Sequence, residues 1–444
     1  MKKIFLLISL ILPYAMFAQN EKMNKYERIY ALSYIWKEID YNFAFPEKIL
    51  GHLNVDSLYR AYLPKVEPEM DDYEFYKLLA SYIAQFNESH TRAIIATHMI
   101  DTPPLFAVDI ENKIIVDNVS KELEKEMPIG SEIVKINNIP INDYITDSVS
   151  VYISASTSHW KRNKSVLELF NGRPNSHLIV TIKDKKGEKN ITLKRNYKQL
   201  QSKLQMVKQA EEPPIIIKFL KNNIAYIKLN SFMYSYKDSI ENTFINALPQ
   251  LKRAKGLIID IRKNRGGSDT SWYLIAKYLI KDKEFHLPIK TYSKKHVSTY
   301  AQWGKYYPQL SDYTKGIAME ELMTYNRSND IPDSLKLNQP VVVLSGDFTG
   351  SAAEDFLLLM KYVKKSLVIG TPSVGCIGEP SFFPLNKNLS FMICTKKFVL
   401  EDGSQPIDQG ILPDITIKTT YKDYLKKYDA TLDRAIKELN KLTE

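Results

Sequence analysis

Four short runs dominated by isoleucine, valine and leucine constrain the fold of this chain more than anything else in it. They are Ile224–Leu229, Gly256–Ile261, Val341–Leu344 and Leu367–Gly370. A run that is apolar at nearly every position, without alternation, needs cover on both faces, as a strand inside a layered sheet has. Stretches of helical length, 237–253, 270–281 and 351–364, lie between these runs. Strand and helix in alternation predict an α/β layer built of crossover units.

Two junctions in that layer carry residues suited to chemistry. In the first, Ser345-Gly346-Asp347-Phe348-Thr349-Gly350-Ser351-Ala352-Ala353-Glu354 leads from a strand into a helix. Ser351 falls where the backbone N–H groups of a helix start are free, so a developing oxyanion beside its hydroxyl would find donors. A serine before a helix is also the ordinary N-cap, and this segment by itself favours that role. In the second junction, Asp260-Ile261-Arg262-Lys263-Asn264-Arg265-Gly266-Gly267 follows a strand. Paired glycines allow a sharp turn and a close backbone approach to a ligand, so Gly266 or Gly267 can offer one oxyanion N–H and Ala352 another. No GK[ST] follows, which excludes a phosphate loop.

The rest of the chain divides by pattern. Residues 1–18 combine Lys2 and Lys3, an apolar stretch and a polar sequel, and read as a secretory leader cleaved after Ala18. The mature protein is then expected to be exported, periplasmic or secreted, and free of the membrane. Residues 19–100 read as a helical domain, with Ile29, Leu32, Ile35, Trp36 and Ile39 at helical spacing and Asp71 or Asp72 capping a second helix. Residues 101–200 change to short strand-like runs separated by Gly and Asn turns. Residues 201–444 form the α/β core, with an aromatic-rich stretch at 283–338 that reads as an insertion.

Taken together, Asp-x-Arg-x-Asn-x-Gly-Gly and the later Ser-Ala-x-Glu helix start resemble the tail-specific (C-terminal processing) serine protease family. Gly370-Thr371-Pro372-Ser373-Val374-Gly375-Cys376-Ile377-Gly378 and Gly410-Ile411-Leu412-Pro413-Asp414-Ile415 fit its later signatures, in order. The segment Gly130–Ile141 resembles the core strand-turn of PDZ-like domains, which take a peptide end as an added strand. The resemblance covers nearly all of the mature chain. It implies an α/β fold with a helical N-terminal part, a PDZ-like β-rich domain and a ClpP/crotonase-like protease core. Many members of that family pair the serine with a lysine in a Gly-Lys-Gly loop, where this chain has Cys376. The branch that looks like the tricorn core protease takes its base from a Ser-His-Thr segment, present here as Ser89-His90-Thr91. The resemblance therefore implies acyl-enzyme chemistry on peptides or polypeptides, with Ser351 as nucleophile and His90 as general base. Ser89 or Asp408 would orient His90, and Glu354 would either brace the site or merely offset the helix dipole.

Other classes lack support. None of the seven histidines has metal-ligand spacing, so no metal or other cofactor is expected. Cys376 has no histidine or basic partner near it in sequence, and Cys376 and Cys394 are either one disulfide or two buried thiols. The net charge of +10, +8 without Lys2 and Lys3, comes from dispersed lysines and reads as a solvated surface rather than a nucleic-acid face. The alternative to a peptidase is a peptide- or hydrophobic-ligand-binding protein on the same fold. The joint presence of Ser351, the double glycine and His90 argues against it.

Overall fold

The computed structural model describes residues 22–49, 52–184, 187–208, 212–294, 306–308, 319–323 and 326–443. The leader and parts of the 283–338 stretch lie outside them. No helix among the described residues is long and apolar enough to cross a membrane.

The four apolar runs lie side by side at the centre of a six-stranded sheet in the order Ile415–Thr416, Leu367–Gly370, Val341–Ser345, Gly256–Asp260, Ile224–Leu229, Ile215–Leu220, whose two edge strands were not among the expected runs. All neighbours pair in parallel except the last, which runs antiparallel to Ile224–Leu229 at the edge. The apolar runs are continuous because both faces are covered. Leu257, Ile259, Val341 and Val343 pack with Phe244, Trp272 and Phe356 from helices Lys237–Leu251, Asp269–Leu279 and Ala352–Leu358. Ile258, Val342 and Leu344 face the other way, onto Ala435 and Leu439 of helix Ala430–Thr443.

Residues 105–194 fold as an antiparallel sheet, Leu105–Ile110, Lys113–Val119, Glu132–Ile136, His177–Asp184 and Gly187–Lys194 in spatial order. The strand-like runs expected there lie in Lys113–Val119, Glu132–Ile136, His177–Asp184 and Gly187–Lys194. Leu105–Ile110 and the helix Ser158–Leu167 were not anticipated.

The N-terminal helices Lys25–Asn42 and Asp72–Ile83 begin at capping boxes, Asn24 with Glu27 and Asp71 with Glu74. Their apolar faces, Leu32, Ile35, Ile39, Phe75 and Leu79, bury against Leu389, Phe391 and Ile393. These three belong to the long strand Leu389–Leu400, which pairs antiparallel with Arg92–Ile95, with Glu379–Pro384 and with Ile289–Lys294. The 283–338 stretch is thus not only an insertion, since its Ile289–Lys294 strand belongs to this sheet. The helical part shares one hydrophobic core with a C-terminal strand, and that sharing carries residues near 90 to the far end of the chain.

Candidate active site

Ser351 lies at the carboxyl end of the central strand Val341–Ser345, where open α/β sheets place ligands. Its backbone sits at φ 54°, ψ −131°. An N-cap residue takes extended dihedrals. A non-glycine residue in this left-handed region instead carries strain of about 1–3 kcal/mol, and such residues gather at functional sites. The capping role favoured by the local sequence does not account for this geometry.

The double-glycine loop is the neighbouring wall. Gly256–Asp260 and Val341–Ser345 pair in parallel with Asp260 opposite Leu344, so the loops that leave them emerge side by side. The Gly350 N–H donates to the Asn264 carbonyl at 3.0 Å, and Thr349 Oγ1 donates to the Ile261 carbonyl at 2.9 Å. Gly266, at φ +88°, is pressed so close that a Cβ there would lie 2.6 Å from the Gly350 oxygen and 2.8 Å from the Ala352 nitrogen. Its N–H, however, donates to Asn264 Oδ1 at 2.9 Å. Gly266 is therefore a spacer, not an oxyanion donor. Gly267, at φ +143°, would bring a Cβ within 2.3 Å of the Phe232 backbone.

Glu354 is fully buried behind the serine. Its carboxylate accepts from the Ser351 N–H (3.0 Å), the Gly375 N–H (2.8 Å), the Cys376 N–H (2.8 Å) and Ser373 Oγ (2.6 Å). Burial pushes its carboxyl up to about 7, against the pull of these four donors. Every partner donates, so the anion is the form that fits. Glu354→Gln turns an amide NH₂ toward at least one of these donors, and a buried group left unsatisfied costs about 1–3 kcal/mol. Chemical unfolding of the two proteins should show that loss.

His90 lies on the polar break after the helix Asp72–Ile83, whose last turn closes at Asn87 in the left-handed conformation (φ 47°). The segment is clamped from one side by Ser154 and Ser156. Ser154 Oγ donates to the Glu88 carbonyl at 2.8 Å, and the Ser89 N–H donates to Ser156 Oγ at 3.0 Å. From the other side the Cys394 N–H, in the long strand, donates to Thr91 Oγ1 at 3.0 Å. His90 is 8% exposed, and burial, helped by Arg92, lowers its pKa to about 4, leaving the ring neutral at pH 7.

The acid beside it is Glu88, which the sequence reading missed. Glu88 is wholly buried, accepts from the His90 N–H at 3.0 Å and from Thr91 Oγ1 at 2.6 Å, and holds Oε1 3.9 Å from His90 Nδ1. Asp408, expected to orient His90, sits on a surface turn with its side chain 76% exposed and pairs with Lys48 at 2.6 Å. The exposed turn gives it solvent and a lysine, not the buried imidazole. Ser89 turns to Ser156, with 3.0 Å between the hydroxyls, rather than to the ring.

Cys376 also differs from expectation. A ring nitrogen of His90, a Glu88 oxygen and Cys376 Sγ all lie within 4.8 Å of one another, so the thiol has a histidine neighbour in space. Burial, with the nearby Glu88 and Glu354 charges, raises its pKa well above the usual thiol value, which keeps it protonated and a poor nucleophile. Cys376 and Cys394 are both free thiols. Cys376 connects the two halves of the site, because its N–H binds the carboxylate that also holds the Ser351 N–H.

Residues 223–417 match the model of Peptidase family S41. Curated relatives include a carboxy-terminal-processing protease of Bartonella bacilliformis, 26% identical over 120 residues (27% of each chain), and a probable CtpA-like serine protease of Staphylococcus epidermidis, 24% identical over 254 residues (57% of this chain, 43% of that one). The chain thus spans less than half the length of these relatives. Among solved structures, mature CPAF superposes over 94% of this chain and 98% of its own, with a TM-score of 0.72 at 15% identity. The photosystem II D1 C-terminal processing protease does so over 88% and 93%, with a TM-score of 0.51 at 16% identity. Over residues 223–417 the chain is thus similar to Peptidase family S41, and its α/β fold is shared with those structures.

Proposed function

We propose that this chain is an exported serine peptidase of the S41 type that cleaves peptides or polypeptides through an acyl-enzyme on Ser351. The observation that carries the proposal is the strained serine at the carboxyl end of the central strand, backed by a buried carboxylate that fixes its N–H. In the reaction Ser351 Oγ adds to the scissile carbonyl while His90 takes the hydroxyl proton. The Gly267 and Ala352 N–H groups receive the oxyanion. Collapse expels the amine, which recovers the proton from His90, and water then hydrolyses the ester by the same route in reverse. Glu88 is the positioning residue for His90, and its carboxylate offsets the positive charge that the ring gains. A thiol stands where a lysine base would be, and its raised pKa unfits it for that role. These features favour the Ser/His branch. The strand-adding role of residues 101–200 and the leader at 1–18 belong to the same proposal.

The test is digestion of an unstructured peptide pool by the mature protein and its His90→Ala variant, read by mass spectrometry. Wild type should cleave, and the variant should lose about 10²–10⁴ in rate, the usual contribution of a general base. Equal rates would remove His90 from the mechanism. No cleavage by natively folded wild type would favour a binding protein.

A further inference from the structure

The trio Glu88, His90 and Cys376 has a second use that does not depend on peptide hydrolysis. We propose that it is a binding site for a zinc-class dication, held by the Cys376 thiolate, a ring nitrogen of His90 and the Glu88 carboxylate.

Thiolate, imidazole and carboxylate are the three protein donors that zinc takes, and three of them with one open position is a common arrangement. All three residues are buried, and their donor atoms lie within 4.8 Å of one another. Bonds of about 2.0–2.3 Å around a tetrahedral ion put such atoms about 3.3–3.8 Å apart, so closure shortens these separations by about 1.5 Å at most. The independent sign is His90 Nδ1, a buried ring nitrogen with no hydrogen-bond partner. A buried polar atom left unsatisfied calls for an explanation, and a bound ion is one of the standard ones. The Glu88 oxygens each take one donor, from His90 N–H and Thr91 Oγ1, and a carboxylate oxygen keeps a further lone pair for a metal. That contact with Thr91 also fixes the carboxylate in place.

Charge and proton balance agree with this assignment. Binding displaces the Cys376 thiol proton, and the proton of Glu88 where that is present, to solvent. The dication then meets one thiolate, one carboxylate and one neutral imidazole, so the occupied site has no net charge in a desolvated place. Cys376 and His90 each keep 8% exposure, which leaves a way in for an ion. The linear sequence hides the site because Cys376 and the Glu88–His90 segment are far apart in it. An occupied site would also stop peptide cleavage, a consequence that rests on the role given to His90 above, since a base whose nitrogen is coordinated cannot accept a proton.

The experiment is a titration of the reduced, mature protein with cobalt(II), followed by displacement with zinc. About one cobalt per chain should bind, with a thiolate-to-cobalt charge-transfer band in the near ultraviolet that zinc abolishes. Cys376→Ser should remove the band and Cys394→Ser should retain it. Glu88→Gln, which keeps the thiol, should weaken binding by on the order of tenfold or more. Absence of the band in wild type, or a band that survives Cys376→Ser, would overturn the site. Zinc that binds and also stops peptide cleavage at the same midpoint supports both readings. Zinc that binds without inhibiting supports the metal site and removes His90 as the base.

Discussion

Ser351→Gly is expected to yield a protein that is more stable and catalytically dead. The activity loss should approach the order of 10⁶ in kcat seen when a serine that acts as a unit with its base is removed. The stability gain follows from the backbone. Ser351 is held at φ 54°, ψ −131°. Glycine tolerates positive φ without a Cβ clash, so relief of up to about 1–3 kcal/mol is expected. A plain N-cap would respond differently: exchange for glycine there costs a few tenths of a kcal/mol, and hydrolysis is untouched. Thermal unfolding and a peptide-cleavage rate measured on the same preparation separate the two. A variant that is less stable and still active would end the nucleophile assignment.

Arg262→Met should cost about 3–5 kcal/mol, the usual effect of removing one partner from a buried ion pair. Arg262 binds Asp260 through Nη2 at 2.7 Å and Nε at 3.0 Å, and reaches Asp429 with both terminal nitrogens at 2.7 and 2.8 Å. Asp260 is 2% exposed and has Tyr226 as its other partner, with the hydroxyl donating at 2.6 Å. Burial alone would raise the Asp260 carboxyl, but the hydrogen bonds and charge of Arg262 hold it below its usual value. Asp429 behaves likewise. A depressed folded pKa gives stability that is present above the unfolded value of about 3.9 and lost as pH falls through the folded one. In the variant, the stranded Asp260 is relieved by protonation. The gap between the two proteins should therefore narrow as pH drops from 7 toward 3. Denaturant unfolding across that range checks it, and a constant gap would assign the loss to packing alone.

The α/β layer was legible because its four inner strands are apolar at nearly every position and stretches of helical length lie between them, whereas the edge strands Ile215–Leu220 and Ile415–Thr416 were not read. Ser351 and the double glycine lie on turns of that layer and Glu354 in the first turn of the helix that follows, so local pattern located them. The structure then separated roles that pattern could not. Gly266 spends its N–H on Asn264, a side-chain bond no spacing encodes. Asp408 is close to the signature in sequence, yet its turn faces solvent. Glu88 stands two residues from His90 and reads as one more polar residue in a polar break. Only its burial beside His90 sets it apart from the others. The strand Leu389–Leu400 was missed because its identity comes from partners remote in sequence, Arg92–Ile95 and Ile289–Lys294.

That strand also sets the order in which a newly made chain can become competent. His90 lies far upstream of that strand, yet its segment is fastened by Cys394, whose N–H binds Thr91 across a separation of 303 residues. Contacts of such range form late, after the cost of closing the long loop has been met. A nascent or C-terminally truncated chain can hold the serine on its strand while the imidazole has nowhere to lodge. Until the strand Leu389–Leu400 has been made and paired, the segment that carries His90 lacks the partner that fastens it, and synthesis itself acts as the safety catch on the site proposed above.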